Sequence, residues 1–237
     1  MPRLPRLNMP GVAQHVVQRG NNRQATFFGD EDYVLYLDKL KEYGKKYQVA
    51  IHAYVLMTNH VHLLVTPSTN DGVSKLMQSL GRYYVRYVNQ TYNRTGTLWE
   101  GRFKSTLVDS EHYFLLVSRY IELNPVAADM VNHPVEYPWS SYHGNAEDKK
   151  IALLTPHASY LELGTSQKKR KAAYRELFKH HIPDYTIKEI QDATSKAWVL
   201  GNDRFKAQIE KQTGRRASPL PRGGDRKSKG YRENKVL

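Results

Sequence analysis

Apolar residues along the first half of the chain change period several times, and each change marks an element. Residues 12–19, VAQHVVQR, alternate as a strand and end at a Gly-Asn-Asn turn. Asp30 then stands as a helix cap, with Tyr33, Leu37 and Leu40 on one stripe to about Lys46. Residues 49–57 read as a second strand. Thr58 and Asn59 leave room only for a tight connection into a third, HVHLLVT. A helix rich in Tyr and Arg follows from about Val73 to Tyr92. FKSTLV at 103–108 reads as a fourth strand, and Asp109 or Ser110 caps a helix to about Leu123. The order β-α-β-β-α-β, then a helix, predicts an α+β class: a ferredoxin-like palm with a four-stranded antiparallel sheet and two helices on one face. The other face stays free for a ligand or another helix.

The second half reads differently. Residues 126–165 are loop-rich, with Pro134, Pro138 and Gly144, and suggest a linker or wrapping arm. Helical patterns return at 168–180, 186–196 and 202–213, the second opening on a Thr186–Glu189 capping box. The expected division is a catalytic domain at 1–145, a linker at 146–167, a helical module at 168–214 and a basic, disordered tail at 215–237.

Charge sharpens that division. The chain has 237 residues and a net charge of +13. From Lys168 onward there are 19 Lys and Arg against 8 Asp and Glu, so most of the excess lies there. A polyanion is the matching partner, with a solubilising tail as the alternative. The absence of cysteine excludes disulfides, thiolate metal sites and a cysteine nucleophile. No run approaches a membrane span, and the N-terminus lacks an apolar core of signal-peptide length, so the expectation is a cytoplasmic, nucleoid-associated protein with no membrane partner.

Two features carry candidate chemistry. His60 and His62 are alternate residues of the third strand, so they share a face while Val61, Leu63 and Val65 point to the core. Two imidazoles on a rigid strand are half of a metal site; two wet surface histidines are the alternative. On the helix before Asn-Pro, positions 113, 117, 120 and 124 share a stripe, so Tyr120 and Asn124 meet the histidines if that helix covers the open face. A phenol, with a pKa near 10, is a weak nucleophile unless a metal stabilises the charge that develops on the phosphate. Asn124 also fits a helix N-cap with Pro125 at the first turn, and both roles stay open.

Four ordered blocks, PGVAQHVVQRGNNRQATFF, AYVLMTNHVHLLVTP, GTLWEGRFKS and SRYIELNPV, resemble the single-tyrosine HUH transposases, in particular the REP-associated tyrosine transposases, over about residues 8–145. The resemblance implies a Mg2+ or Mn2+ ion held by His60, His62 and Asn124, with Tyr120 as nucleophile. Ligand softness alone favours Mn2+. It implies transesterification on single-stranded DNA through a 5′-phosphotyrosine bond, at imperfect palindromes that fold into hairpins, often beside a short guide tetranucleotide. It allows a monomer or a homodimer.

Arg102 and Lys104 are candidate phosphate contacts. Arg82 and Arg86 lie among Tyr83, Tyr84 and Tyr87 and suit a strand-lining surface, or a solvated face over an aromatic core stripe. The C-terminal helices fit either a helix-turn-helix unit, with Arg204, Lys206, Arg215 and Arg216 as DNA contacts, or a small cap packed on the palm. The rivals are a non-catalytic nucleic-acid-binding protein on the same kind of sheet, and a phosphodiesterase using activated water.

Overall fold

The computed structural model describes residues 6–219. Its sheet has four antiparallel strands in the order β2-β3-β1-β4, built from β1 (Gln14–Arg19), β2 (Val49–Met57), β3 (His60–Pro67) and β4 (Lys104–Leu107). Helix α1 (Asp30–Lys46) links β1 to β2, and α2 (Gly72–Thr91) links β3 to β4. This is the expected ferredoxin-like palm. Thr58 and Asn59 close the β2–β3 hairpin, and Val55 faces His62 across it.

Both strand faces are buried, each by different helices. Val61, Leu63 and Val65 of β3 meet Tyr54 and Leu56 of β2, Tyr36 and Leu40 of α1, and Leu76, Leu80 and Tyr84 of α2. Each fully buried Leu or Val contributes about 1.5–3 kcal/mol of apolar transfer free energy. On the opposite face, Leu64 and Val55 pack with Phe114, Val117 and Ile121 of α3 (Phe114–Glu122).

That second face is completed from the far end of the chain. After the short helices α4 (Asn124–Ala127), α5 (Tyr142–Asn145) and α6 (Ala158–Leu161) come α7 (Gln167–Leu177), α8 (Asp184–Lys196) and α9 (Asp203–Thr213). Ile190 and Ala193 of α8 sit in the same core as Val117 and Val55. Ala197, left-handed at φ 55°, ends α8 and turns the chain onto the β4 edge. There the Leu200 amide donates to the Leu107 carbonyl, and the Asp109 amide donates to the Leu200 carbonyl. The C-terminal helical module is therefore packed on the palm through α8 and the segment after it. The joint between α8 and α9 is a bridge to the sheet, not an exposed turn.

The loop-rich segment 126–165 lies along the sheet, as its wrapping-arm reading has it. Leu56 donates its amide to the Trp139 carbonyl, Ser141 to that of Tyr54, and Thr155 to that of Ile51. Residues 139–141 and 154–155 thus cover the outer β2 edge, as 198–200 cover the β4 edge. Covered edges remove the unpaired backbone groups that invite aggregation.

Two caps differ from expectation, and a third, open between two roles, is decided. Gly29, not Asp30, precedes the first turn of α1. The Asp32 carboxylate accepts from the Phe28 and Gly29 amides at 2.7 and 3.1 Å. Helix α8 starts two residues before Thr186, which is buried inside it, so the Thr186–Glu189 box does not form. Leu123 occupies the N-cap position of α4, leaving Asn124 as its first helical residue. The tail beyond Pro219 lies outside the described residues.

Candidate active site

Between β1, β3, β4, α3 and α8 lies an open cleft of about 810 Å³. Strand alternation decides which side chains enter it. In β3 the even residues face α3, so His60 and His62 line the cleft while Val61 and Leu63 are in the opposite core. In β1, His15, Val17 and Arg19 line it by the same rule. Antiparallel pairing sets Val17 against His62 and Arg19 against His60.

Tyr120 enters from above. Val117 and Ile121 fix α3 on the sheet and are fully buried, and Tyr120, one position before Ile121, projects beside them. Its ring centroid lies 5.9 Å edge-on from both His62 and His15, and the His60 and His62 centroids are 5.1 Å apart. No other tyrosine of the described residues lines the cleft. Tyr113 points away and donates its hydroxyl to the Glu189 carboxylate at 3.0 Å.

Asn124 also lines the cleft, one turn after Tyr120. Its Nδ2 donates to the Tyr120 carbonyl at 2.7 Å and to the Ile121 carbonyl at 3.4 Å. The side chain thus closes the end of α3 rather than capping α4. The amide nitrogen is held by α3, and Oδ1 has no hydrogen-bond partner among the described residues.

Burial sets the protonation of the site. It lowers the His60 pKa to about 4, with Arg19 adding to the shift. It holds His62 well below the usual imidazole range, reinforced by His15, His60 and Arg19. Both rings are neutral at neutral pH, the form that offers a lone pair to a cation. Burial raises the Tyr120 pKa, opposed by a hydrogen bond from Gln191 of α8 and by the charge of Arg19.

The donor set fits a divalent metal ion. His60 Nδ1 is 2.6 Å from Asn59 Oδ1, and His62 Nδ1 is 2.9 Å from His15 Nε2. Neither Nε2 has a hydrogen-bond partner among the described residues. Two bare imidazole nitrogens and one amide oxygen in one cleft form a mixed N/O set. A separate group, Asp109, Glu111 and His112, brings three ligand atoms within 4.8 Å of one another at the start of α3. There the Asp109 carboxylate already accepts from the Glu111 amide and from His112 Nδ1, both at 3.1 Å.

Basic residues rim the cleft. Arg102, Lys104 and Arg215 were expected at DNA and line it, joined by Arg6 and Lys196. Arg82 and Arg86 are exposed on α2, across the sheet from the histidines. Arg204 and Lys206 on α9, and Arg216, do not line the cleft either. Sequence reasoning missed His15, Arg19, Gln191 and Thr194. The first two carried a legible signal, since β1 alternates as β3 does. The α8 residues carried none.

The family model for IS200-like transposases matches residues 8–124, from before β1 to Asn124. Over these residues the chain is similar to the IS200-like transposases. The structure of a REP-associated tyrosine transposase bound to a REP hairpin is similar in fold, with a TM-score of 0.53 at 16% identity. The match covers 66% of this chain and 99% of that one. A presumed transposase from Deinococcus radiodurans R1 matches at 23% identity and a TM-score of 0.36, over 51% of this chain and 96% of that one. Among curated protein sequences none matches. No helix of the described residues is long and apolar enough to cross a membrane. The family match points to an enzyme acting on DNA, and α8 and α9 lie beyond the matched residues.

Proposed function

We propose that this protein cuts and rejoins single-stranded DNA beside a hairpin, with Tyr120 as its nucleophile. The observation that carries the reading is that Tyr120 alone among the described tyrosines shares the cleft with His60 and His62.

The Tyr120 oxygen attacks a phosphodiester phosphorus and forms an O–P bond. The bond from phosphorus to the 3′ oxygen breaks. The phenol gives up one proton and the departing 3′ oxygen takes one up, so the charge balances. The product is a 5′-phosphotyrosine ester and a free 3′-OH. The ester keeps the energy of the phosphodiester, so a 3′-OH reverses the step without ATP. Arg19 and Gln191 oppose the rise that burial imposes on the Tyr120 pKa, and so favour the ionised phenol that attacks.

His60 Nε2, His62 Nε2 and Asn124 Oδ1 are the atoms that would hold Mg2+ or Mn2+. When bound, such an ion supplies positive charge to a non-bridging phosphate oxygen. Arg102, Lys104, Arg6 and Arg215 give the strand's phosphates a basic wall. The hairpin preference is supported by the fold relative bound to a REP hairpin. Every residue named lines the cleft of one chain, so the proposed step calls on no residue of a second copy. Activated-water hydrolysis is disfavoured, because among the described residues Glu100 is the only carboxylate lining the cleft.

The test is incubation of the full chain with labelled single-stranded hairpin DNA and Mn2+, resolved on a denaturing gel. A covalent adduct is expected with the wild type and with Tyr113→Phe. Tyr120→Phe should lower adduct formation by at least roughly a thousandfold. An adduct that survives in Tyr120→Phe, or tight binding with no adduct at all, overturns the reading.

A further inference from the structure

The His62 ring is the inner end of a hydrogen-bond chain that starts on α8, outside the family match. Thr194 Oγ1 donates to the Ile190 carbonyl at 2.8 Å. A hydroxyl has one hydrogen, and a carbonyl can only accept. The contact of 2.9 Å between Thr194 Oγ1 and His15 Nδ1 must therefore have the imidazole as donor. His15 is almost fully buried, and with its one hydrogen on Nδ1 its Nε2 is an acceptor. That Nε2 faces His62 Nδ1 at 2.9 Å, so His62 carries its hydrogen on Nδ1 and leaves Nε2 bare. The same logic holds for His60. Asn59 Nδ2 donates to the Arg23 carbonyl at 2.9 Å, which orients Oδ1 to accept from His60 Nδ1.

We infer that His15, held by Thr194, is a positioning residue that locks His62 in the tautomer whose Nε2 serves the metal, so that helix α8 of the C-terminal cap is part of the active site. The inference rests on the metal-site reading above. In a free imidazole the hydrogen moves between the two nitrogens. A fixed acceptor at Nδ1 removes that freedom and fixes ring orientation, and losing such a partner typically costs 10–100-fold in metal affinity. The stacked His15 and His62 rings, 5.1 Å between centroids and 19° from parallel, keep the acceptor in place. The pairing is not local. His15 and His62 are 47 residues apart, and His15 and Thr194 are 179 apart.

The experiment uses the full chain without DNA and has two readouts. Mn2+ affinity is followed by the electron paramagnetic resonance of the free ion, and the His62 tautomer by the imidazole 15N shifts of the metal-free protein. Wild type is expected to hold one tight Mn2+ and to show His62 with hydrogen on Nδ1. His62→Ala should abolish the tight site; if it does not, the metal-site reading itself fails. His15→Phe keeps a ring but has no acceptor. It should weaken Mn2+ by about 10–100-fold and move His62 toward the other tautomer. His15→Gln, which restores an acceptor oxygen, should recover most of the affinity. Thr194→Val keeps the volume of the side chain, so it decides the matter if His15→Phe fails to fold. It should weaken Mn2+ several-fold, and Thr194→Ser should not. With His62→Ala inactive for metal, wild-type affinity and an unchanged His62 tautomer in a folded His15→Phe or in Thr194→Val overturn the inference alone.

Discussion

The two faces of the sheet are built from the same strands and behave as different materials. The face under α1 and α2 is an apolar core to which β3 contributes Val61, Leu63 and Val65. The face under α3 and α8 takes His60, His62 and Leu64 from the same strand, and buries His15, His52, Thr106 and Thr194 as well. Polar groups can be buried there because they are paired. His52 Nδ1 bonds the Thr155 carbonyl at 2.7 Å and its Nε2 bonds Thr66 Oγ1 at 2.9 Å, while His15 and His62 bond each other. The dry face supplies cohesion, and the polar face uses that rigidity to hold reacting groups.

The largest effect that can break this comparison is on the dry face. Leu63→Ala should lower stability by about 2–5 kcal/mol, read from urea unfolding, with Mn2+ affinity per folded molecule unchanged. A loss of metal affinity at full stability would mean that the two faces are not separate in role.

Next comes a carboxyl on the polar side of the molecule. Glu122 is fully buried, and burial raises its pKa to about 7 against hydrogen bonds from Ser141, Asn145 and Tyr174. Folded protein therefore holds this proton where the unfolded chain has released it. Its contribution is complete below about pH 4.5, is lost as pH rises toward 7, and is flat above. Glu122→Gln removes the loss and should gain up to about 3 kcal/mol relative to wild type at pH 8, from the 1.36 kcal/mol that each pKa unit represents. Equal urea midpoints for the two proteins at pH 5 and pH 8 would count against it.

The histidines give the opposite slope. His15, His52 and His60 are pushed by burial to about 3, 4 and 4, and His62 is lowered too. The unfolded chain binds protons first, so their contribution is complete above about pH 6.5 and is lost as pH falls toward 4. All four lie on or beside the polar face. Thermal unfolding should become easier on acidification from pH 6.5 to 4, and the same scan in His52→Phe should show a shallower fall.

The smallest effect concerns DNA. Arg102→Ala and Lys104→Ala, on the cleft rim, should each weaken single-strand binding several-fold and reduce the salt slope by about 0.7. Arg82→Ala and Arg86→Ala, on the outer surface of α2, should change binding less than about twofold. Equal losses from both pairs would place the strand on the wrong side of the palm.

Much of the palm was legible because it is local. Period-2 runs gave β1 to β4 within about two residues, and the β3 alternation put His60 and His62 on one face. Tyr120 was separable from 16 other tyrosines only by family resemblance, since helical spacing also admits Tyr113. The caps differ from expectation at Asp30 and Thr186, and of the two roles open to Asn124 the cap does not form. Which of several nearby polar side chains reaches a backbone amide depends on geometry that spacing leaves open.

The sequence by itself determined the order of strands and helices, the shared face of the two histidines and the charge asymmetry of the chain. Periodicity and composition are properties of neighbours in the chain. Only the tertiary structure decided that α8 lies on the open face, that residues 139–141 and 198–200 close the sheet edges, and that Thr194 meets His15. Those contacts join residues up to 179 positions apart. Nothing in the local pattern of an amphipathic helix says which apolar surface it will cover.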